Sequence, residues 1–268
     1  ENGIAEMAPL IRAARARALA TAAGPALSKL APNGVMRAAI NMSNILLVTD
    51  RTDPAAPKGV APDMAAALAQ ELGARLVLVP YPNPGALADS SADGEWDVGL
   101  IGAEPARAEV IGFSRPYAEI EATYLVPPGS ALGSASEVDS PGVRIATSRR
   151  SAYALWLSAN LKQAKLVPTD EPGPELSWEL FRTQRLDALS GLRPWLTSKA
   201  LELPGSSVLP DRFTAIQQAI GVPRSADAPA CEAAVAFLDG FVSEAKRSGL
   251  VARLLAKHGV AQKLDVAM

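Results

Sequence analysis

Cysteine and histidine occur once each, as Cys231 and His258. Their scarcity excludes disulfide frameworks and zinc sites built from Cys/His clusters, and leaves His258 as the one histidine a catalytic triad could use. Cys231, near the start of an alanine-rich helix, reads as a small buried residue. His258, at the end of the last helix, reads as a cation that complements the carbonyl end of the helix dipole. Aromatic residues supply only 5% of the 268-residue chain, and neither sign of charge dominates: 26 Lys and Arg face 28 Asp and Glu, a balance of −2. A phosphate-backbone binder carries a marked basic excess, so nucleic acid is excluded as a partner. No run reaches the roughly 18 apolar residues that span a bilayer, which predicts a soluble chain. Arg12, Arg15 and Arg17 precede a mild alanine-rich run, but Gly24-Pro25 interrupts it before it can serve as the apolar region of a signal peptide. No secretion signal is visible. Ile4, Met7, Ile11, Ala14 and Ala18 instead fall on one stripe and predict an amphipathic helix.

What is present is globular: 49% hydrophobic and 20% charged residues can build a packed core. The length suits two lobes of roughly 100–130 residues each. Residues 1–33 read as a helical extension closed by the Ala31-Pro32-Asn33-Gly34 turn. An alternation then begins, with a strand over Val35–Ile40, a helix over Pro62–Leu72, a strand over Arg75–Val79 and the loop Pro80-Tyr81-Pro82-Asn83-Pro84-Gly85. Asp97–Ile101 predicts a buried strand and Pro105–Ile111 a helix. This βαβ order predicts a parallel sheet. After the extended run Glu121–Val126, the pattern restarts: strand Val143–Thr147, helix Ala152–Lys162, strand Leu166–Val167, helix Glu175–Thr183, strand Leu186–Leu189 and a helix from about Pro194. A second extended run, Thr214–Val222, precedes helices over residues 228–257. Two extended runs bracketing the second unit predict two chain crossings and hence a hinge. The division expected is 34–124 with 220–268 as lobe one and 125–219 as lobe two. Ligands of open α/β sheets sit off the carboxyl ends of the strands, so the two lobes would face each other across a cleft.

The stretch Lys58-Gly59-Val60-Ala61-Pro62-Asp63-Met64 through Glu71-Leu72-Gly73, the segment Trp96-Asp97-Val98-Gly99, then Glu104-Pro105-Ala106-Arg107 and Ile111-Gly112-Phe113-Ser114-Arg115-Pro116-Tyr117 resemble the family 3 extracellular solute-binding proteins. These are the amino-acid type of ABC transporter receptor, and the order and spacing run over about residues 34–260. The resemblance implies an α/β, two-lobed type II periplasmic-binding fold, a periplasmic location, a small-molecule ligand and an inner-membrane ABC permease as partner. It implies no cofactor, no metal and no catalytic residue. By position, Arg107 resembles the arginine that clamps a ligand carboxylate. Asn41 and Asn44 fall in the first strand-to-helix loop of the pocket, and Ser148 and Ser151 in the lobe-two loop that donates to the same carboxylate. Two departures stand out. The Ser/Thr-rich stretch before the arginine is shortened to Leu100-Ile101-Gly102-Ala103-Glu104, and the acid that would hold a ligand ammonium is replaced around Gly191-Leu192-Arg193.

The chemistry of these positions is consistent with an anion site. Each lies at a strand-to-helix junction, where unpaired N–H groups and the positive end of the dipole favour negative charge, and Arg107 adds a planar fork. Arg149 and Arg150 open a helix, a place unfavourable to cations unless a carboxylate offsets them. Arg193 stands at a third junction, and Glu104 can orient Arg107. The candidate ligand-binding set is therefore Arg107, Asn41, Asn44, Gly102, Glu104, Ser148, Arg149, Arg150, Ser151 and Arg193. The aromatic residues Trp96, Trp156, Trp178 and Trp195 read as core, while Tyr81 and Tyr117 fit either core or pocket. The expected solute is a carboxylate: an amino acid, an amino-acid derivative such as an opine-like conjugate, or an organic acid. The expected state is a monomer, with the N-terminal helix as the segment able to mediate dimerisation. Two other readings fit the same fold: an enzyme similar to cyclohexadienyl dehydratase, for which Glu104 is the one placeable general acid, and a solute sensor or interaction module.

Overall fold

The computed structural model describes residues 24–268. The amphipathic stripe over residues 4–18 lies outside them. Residues 24–30 are helical, and Ala26, Leu30 and Ala31 are buried in the first core.

Among the described residues eleven strands join in one sheet: β1 (Val35–Asn41), β2 (Arg75–Tyr81), β3 (Val98–Gly102), β4 (Ile111–Phe113), β5 (Ala118–Val126), β6 (Arg144–Thr147), β7 (Lys165–Pro168), β8 (Ala188–Leu192), β9 (Ser207–Val208), β10 (Thr214–Pro223) and β11 (Asp265–Val266). The main path runs β2-β1-β3-β10-β5-β8-β6-β7. At one end β1 pairs in parallel with β2 and β3; at the other β6 pairs in parallel with β7 and β8. Each parallel set is covered by helices, as the βαβ order predicts: Val60–Glu71 and the paired helices Ala228–Arg247 and Leu250–Lys257 on the first, Ala152–Asn160 and Pro174–Thr183 on the second. The result is two lobes on one continuous pairing.

Between them run β5 and β10, antiparallel from Thr214↔Ala122 to Gln218↔Ala118. Both are long, almost wholly buried along one stretch, and paired with both halves: β10 with β3, and β5 with β8. These are the two hinge crossings expected from the extended runs. The core divides accordingly. Met36, Ile40, Met64, Leu68, Leu238 and Val242 belong to the first lobe's cluster, and Tyr124, Val138, Ile145 and Leu157 to one of the second's. A small cluster of Ala122, Tyr153 and Ile216 lies at the hinge itself.

One device recurs in both halves. Asp97, just before β3, accepts from the backbone and guanidinium of Arg37 at 2.7–3.0 Å. Asp187, just before β8, accepts from the backbone and guanidinium of Arg144 at 2.8 and 3.2 Å. Each acid ties a strand entry to its neighbour's first residues. The expected helix over Pro105–Ile111 is shorter, Pro105–Ala108, because Ile111–Phe113 leaves to pair with β10. His258 stands at the C-cap of its helix, and its Nε2 meets Asp63 Oδ2 at 2.7 Å, tying the last helix to Val60–Glu71. Among the described residues no helix is long and apolar enough to cross a membrane.

Candidate functional site

The carboxyl ends of β1, β2, β3 and β8, at Asn41, Tyr81, Gly102 and Leu192, converge on one cleft of about 1010 Å³, and Ser148, directly after β6, joins them. Parallel strands all point their carboxyl ends the same way, so each lobe presents a row of strand-to-helix turns to the other. β10 floors the cleft with Ile216 and the buried Gln218.

On the first lobe, Glu104 precedes a single helical turn that begins with Pro105, where the missing N–H costs nothing. That turn carries Arg107 into the cleft wall, although its side chain is only 4% exposed. Its Nη1 donates to Glu104 Oε2 at 2.5 Å and to the Gly102 carbonyl at 2.9 Å. Its Nη2 donates across the cleft to the Arg150 carbonyl at 3.2 Å. Burial pushes the Glu104 carboxyl above the ordinary range, with the charge of Arg107 pulling the other way. Burial also draws the Arg107 guanidinium below its ordinary value, opposed by Glu104.

On the second lobe, Ser151 caps helix Ala152–Asn160, its Oγ accepting from the Ala154 N–H at 3.1 Å. Ser148 Oγ accepts from the Gly173 N–H at 2.9 Å and so ties two cleft turns together. Arg149 is exposed at the cleft, with its Nε donating to the Thr169 carbonyl at 3.1 Å; among the described residues neither Nη has a partner.

Of the residues singled out in the sequence, Asn41, Asn44, Gly102, Arg107, Ser148, Arg149 and Ser151 line the cleft. Glu104, Arg150 and Arg193 do not, each for a visible reason. Glu104 lies behind Arg107, 6% exposed. Arg150 turns away to reach the opposite lobe, where its Nη1 and Nη2 meet Asp89 Oδ2 and Oδ1 at 2.6 and 2.5 Å. Arg193 is a hinge staple: Nε donates to Glu121 Oε2 at 2.5 Å, and the two Nη groups donate to the carbonyls of Leu209 and Pro210.

The walls are more aromatic than the sequence reading allowed. Trp195, read as core, is largely buried yet lines the cleft, with Nε1 donating to Glu175 Oε1 at 3.3 Å. Tyr81 lines it too and donates to Glu95 Oε2 at 2.7 Å, whereas Tyr117 is fully buried away from it. Tyr153 was not singled out; burial pushes its phenol up to about 12 against hydrogen bonding with Ser151 and Ser148. Its position two residues after the Ser151 cap was the available signal. Among the described residues no group of three His, Cys, Asp or Glu could hold a metal.

This architecture has known counterparts. An ancestral amino acid-binding protein, a precursor of cyclohexadienyl dehydratase, superposes with a TM-score of 0.67 at 19% identity, covering 86% of this chain and 97% of its own. An amino acid ABC transporter substrate-binding protein from Streptococcus pneumoniae, bound to L-arginine, gives 0.64 at 21% identity over 90% and 99%. A binding component of an ABC transporter from Wolinella succinogenes, complexed with lysine, gives 0.65 at 18% identity over 84% and 95%. No curated protein sequence matches the chain. The model of the bacterial extracellular solute-binding proteins, family 3, matches residues 47–261, most of the sequence. The two-lobed fold, the paired hinge strands and the cleft at the strand ends are thus those of a binding clamp, and the chain belongs to the bacterial extracellular solute-binding proteins of family 3.

Proposed function

We propose that the chain is the periplasmic capture component of an ABC uptake system, taking a small carboxylate-bearing solute into the cleft and handing it to an inner-membrane permease without altering it. Lobe one is taken as residues 34–124 with 220–268, lobe two as 125–219, and residues 1–33 as an extension. The observation that carries the reading is the convergence of Arg107 from one lobe and the Ser148–Ser151 turn from the other on the same cleft. A carboxylate between them would meet an arginine fork and a helix N-terminus, both suited to negative charge. Asn41 and Asn44 supply polar groups beside it, and Tyr81, Tyr153 and Trp195 supply flat apolar walls for an amino-acid derivative, opine-like conjugate or organic acid. Contacts to both lobes exist only in the closed state, so solute binding favours closure.

Native mass spectrometry of the purified protein tests this directly, with a retained small acid as the expected result. Arg107→Lys keeps a charge for Glu104 while removing the fork, and should abolish retention; unchanged retention would overturn the site assignment. A second reading, dehydration of an anionic substrate, is favoured by one observation, the acid Glu104 beside the cleft arginine. It is discarded if prephenate incubated with the protein yields no product, and adopted if it turns over.

A further inference from the structure

The anion-binding side of the cleft already contains an anion. The Glu104 carboxylate and the Arg107 guanidinium are 7% and 4% exposed, and they meet directly. The space for that carboxylate exists because residue 102 is glycine: a Cβ there would lie 2.8 and 3.0 Å from the two Glu104 oxygens. Gly102 and Glu104 are therefore a matched pair, one vacating what the other fills.

The donors of Arg107 can be counted. Of five N–H groups, the two on Nη1 go to Glu104 and Gly102, and one on Nη2 goes to the Arg150 carbonyl. Nε and the second Nη2 hydrogen remain for a solute. A carboxylate taking those two meets a guanidinium whose charge is already balanced. Two carboxylates on one buried arginine leave a net negative charge out of water, which favours a proton on one of them. The surrounding groups do little to relieve this. Arg150 faces Arg107 from the lobe-two turn but is matched to Asp89. Arg149 is exposed at the cleft, where Arg51 and Glu175 are the other charged lining residues. β10 brings Ile216 against the pair and contains no charged residue. Burial already favours the neutral form of Glu104.

We propose that Glu104 is the specificity-determining residue of the cleft, a built-in competitor for Arg107, so that a solute carboxylate binds Arg107 together with one proton from solvent, taken by Glu104. The inference rests on the carboxylate reading above. Charge balances: an anion and a proton enter, and the buried group of two acids and one arginine remains neutral. Capture then tightens as pH falls, approaching tenfold per pH unit where Glu104 is ionised in the free protein.

Acetate serves as the probe, with acetamide as its uncharged counterpart, titrated by NMR against the full chain between about pH 6 and pH 8, where a free carboxylate stays ionised. In the wild type, acetate affinity should fall as pH rises, approaching tenfold per pH unit where Glu104 is ionised in the free protein, while the carbon-13 shift of the Glu104 carboxyl moves to its protonated value as acetate binds. Glu104→Gln should bind acetate independently of pH and, at the upper end, at least about tenfold more tightly, a gain of about 1.4 kcal/mol. Gly102→Ala, which pushes the Glu104 carboxylate aside, should show part of the same gain. Acetamide should not distinguish the proteins. Equal acetate affinity for wild type and Glu104→Gln across the range overturns the proton coupling and leaves the carboxylate reading standing. Acetate binding to neither, or binding unaffected by Arg107→Lys, overturns both.

Discussion

The two jaws of the cleft hold their arginines in opposite ways. On lobe one, Arg107 is buried and bonded within its own lobe to an acid and the Gly102 carbonyl, and so is fixed before any solute arrives. On lobe two, Arg149 and Arg150 stand exposed on a turn whose serines are occupied in capping and tying the backbone. The first jaw is preorganised, so ordering it costs little on binding. On the second, the turn is tied within its own lobe, but the Arg150 side chain is held by Asp89 and Gly85 across the cleft, contacts that exist only when the lobes are close. On the proposed reading, recognition chemistry and closure fall to different sides of the molecule.

The largest test of this contrast removes the buried cation. Arg107→Ala strands the Glu104 carboxylate without a partner, and breaking a buried pair typically costs about 3–5 kcal/mol. Arg149→Ala, an exposed change, should stay within about 0.5 kcal/mol. Denaturant unfolding of both variants checks the difference, and near-equal values would erase the distinction between the jaws. Substituting both members of the buried pair with apolar residues, Glu104→Leu with Arg107→Met, should restore much of the loss, because no charge is then left buried alone.

A smaller effect is expected on the second jaw. Ser151→Ala removes the cap of helix Ala152–Asn160 and should cost about 1 kcal/mol. Ser151→Asp, which can cap in the same way, should recover it. Thermal melts decide, and an unaffected Ser151→Ala would mean the turn is held by its tie to Gly173 rather than by the cap.

These contrasts show what a sequence can and cannot disclose. The strands and the hinge were legible because their signals are local: Val35–Asn41, Arg75–Tyr81 and Val98–Gly102 are apolar runs separated by turn residues, and Thr214–Pro223 is a long extended run. Seven cleft residues were legible because the family resemblance placed them by position, at strand-to-helix turns that the pattern of apolar runs also marks. The partners were not. Arg150 and Arg193 stand at the same kind of junction as Arg107, and only the tertiary arrangement sends one to Asp89 and the other to Glu121, 61 and 72 residues away along the chain. Trp195 read as core and Tyr153 was not singled out, and both are mostly buried; that each lines the cleft depends on the tertiary arrangement. Glu104 was visible as a neighbour of Arg107, but its place beside the missing Cβ of Gly102 was not, because that depends on how the chain folds back over residues 102–104.

The smallest change in stability, and the most specific change in shape, should come from the tie between the lobes. Arg150 adopts a left-handed backbone, φ 60°, a conformation that costs a non-glycine residue about 1 kcal/mol or more. It gains in return a bidentate ion pair with Asp89, a bond donated by its Nη2 to the Gly85 carbonyl at 3.4 Å and acceptance of an Arg107 N–H on its own carbonyl. Gly85 admits it: a Cβ there would lie 3.0 Å from Arg150 Nε. Both charged groups are largely exposed, so Asp89→Asn should change unfolding stability by no more than about 1 kcal/mol. Its effect falls on the balance between closed and open forms, because the pair bridges the lobes. Small-angle scattering of the solute-free protein should show a larger radius of gyration for Asp89→Asn and Arg150→Ala than for the wild type. The pH dependence has a definite sign. The hydrogen bond from Arg150 holds the Asp89 carboxyl below its ordinary value, burial opposing it, so the closed form binds fewer protons than the open one. The pair's contribution to closure is therefore fully present above the ordinary aspartate value of about 4 and is lost as pH falls through the depressed one. Wild-type scattering should approach that of Asp89→Asn only in that acid range, and the variant should show no such transition. High salt should open the wild type in the same direction at neutral pH, since exposed pairs are screened. A radius that ignores both salt and Asp89 would place closure in the buried Arg107 jaw and remove the division of labour between the two.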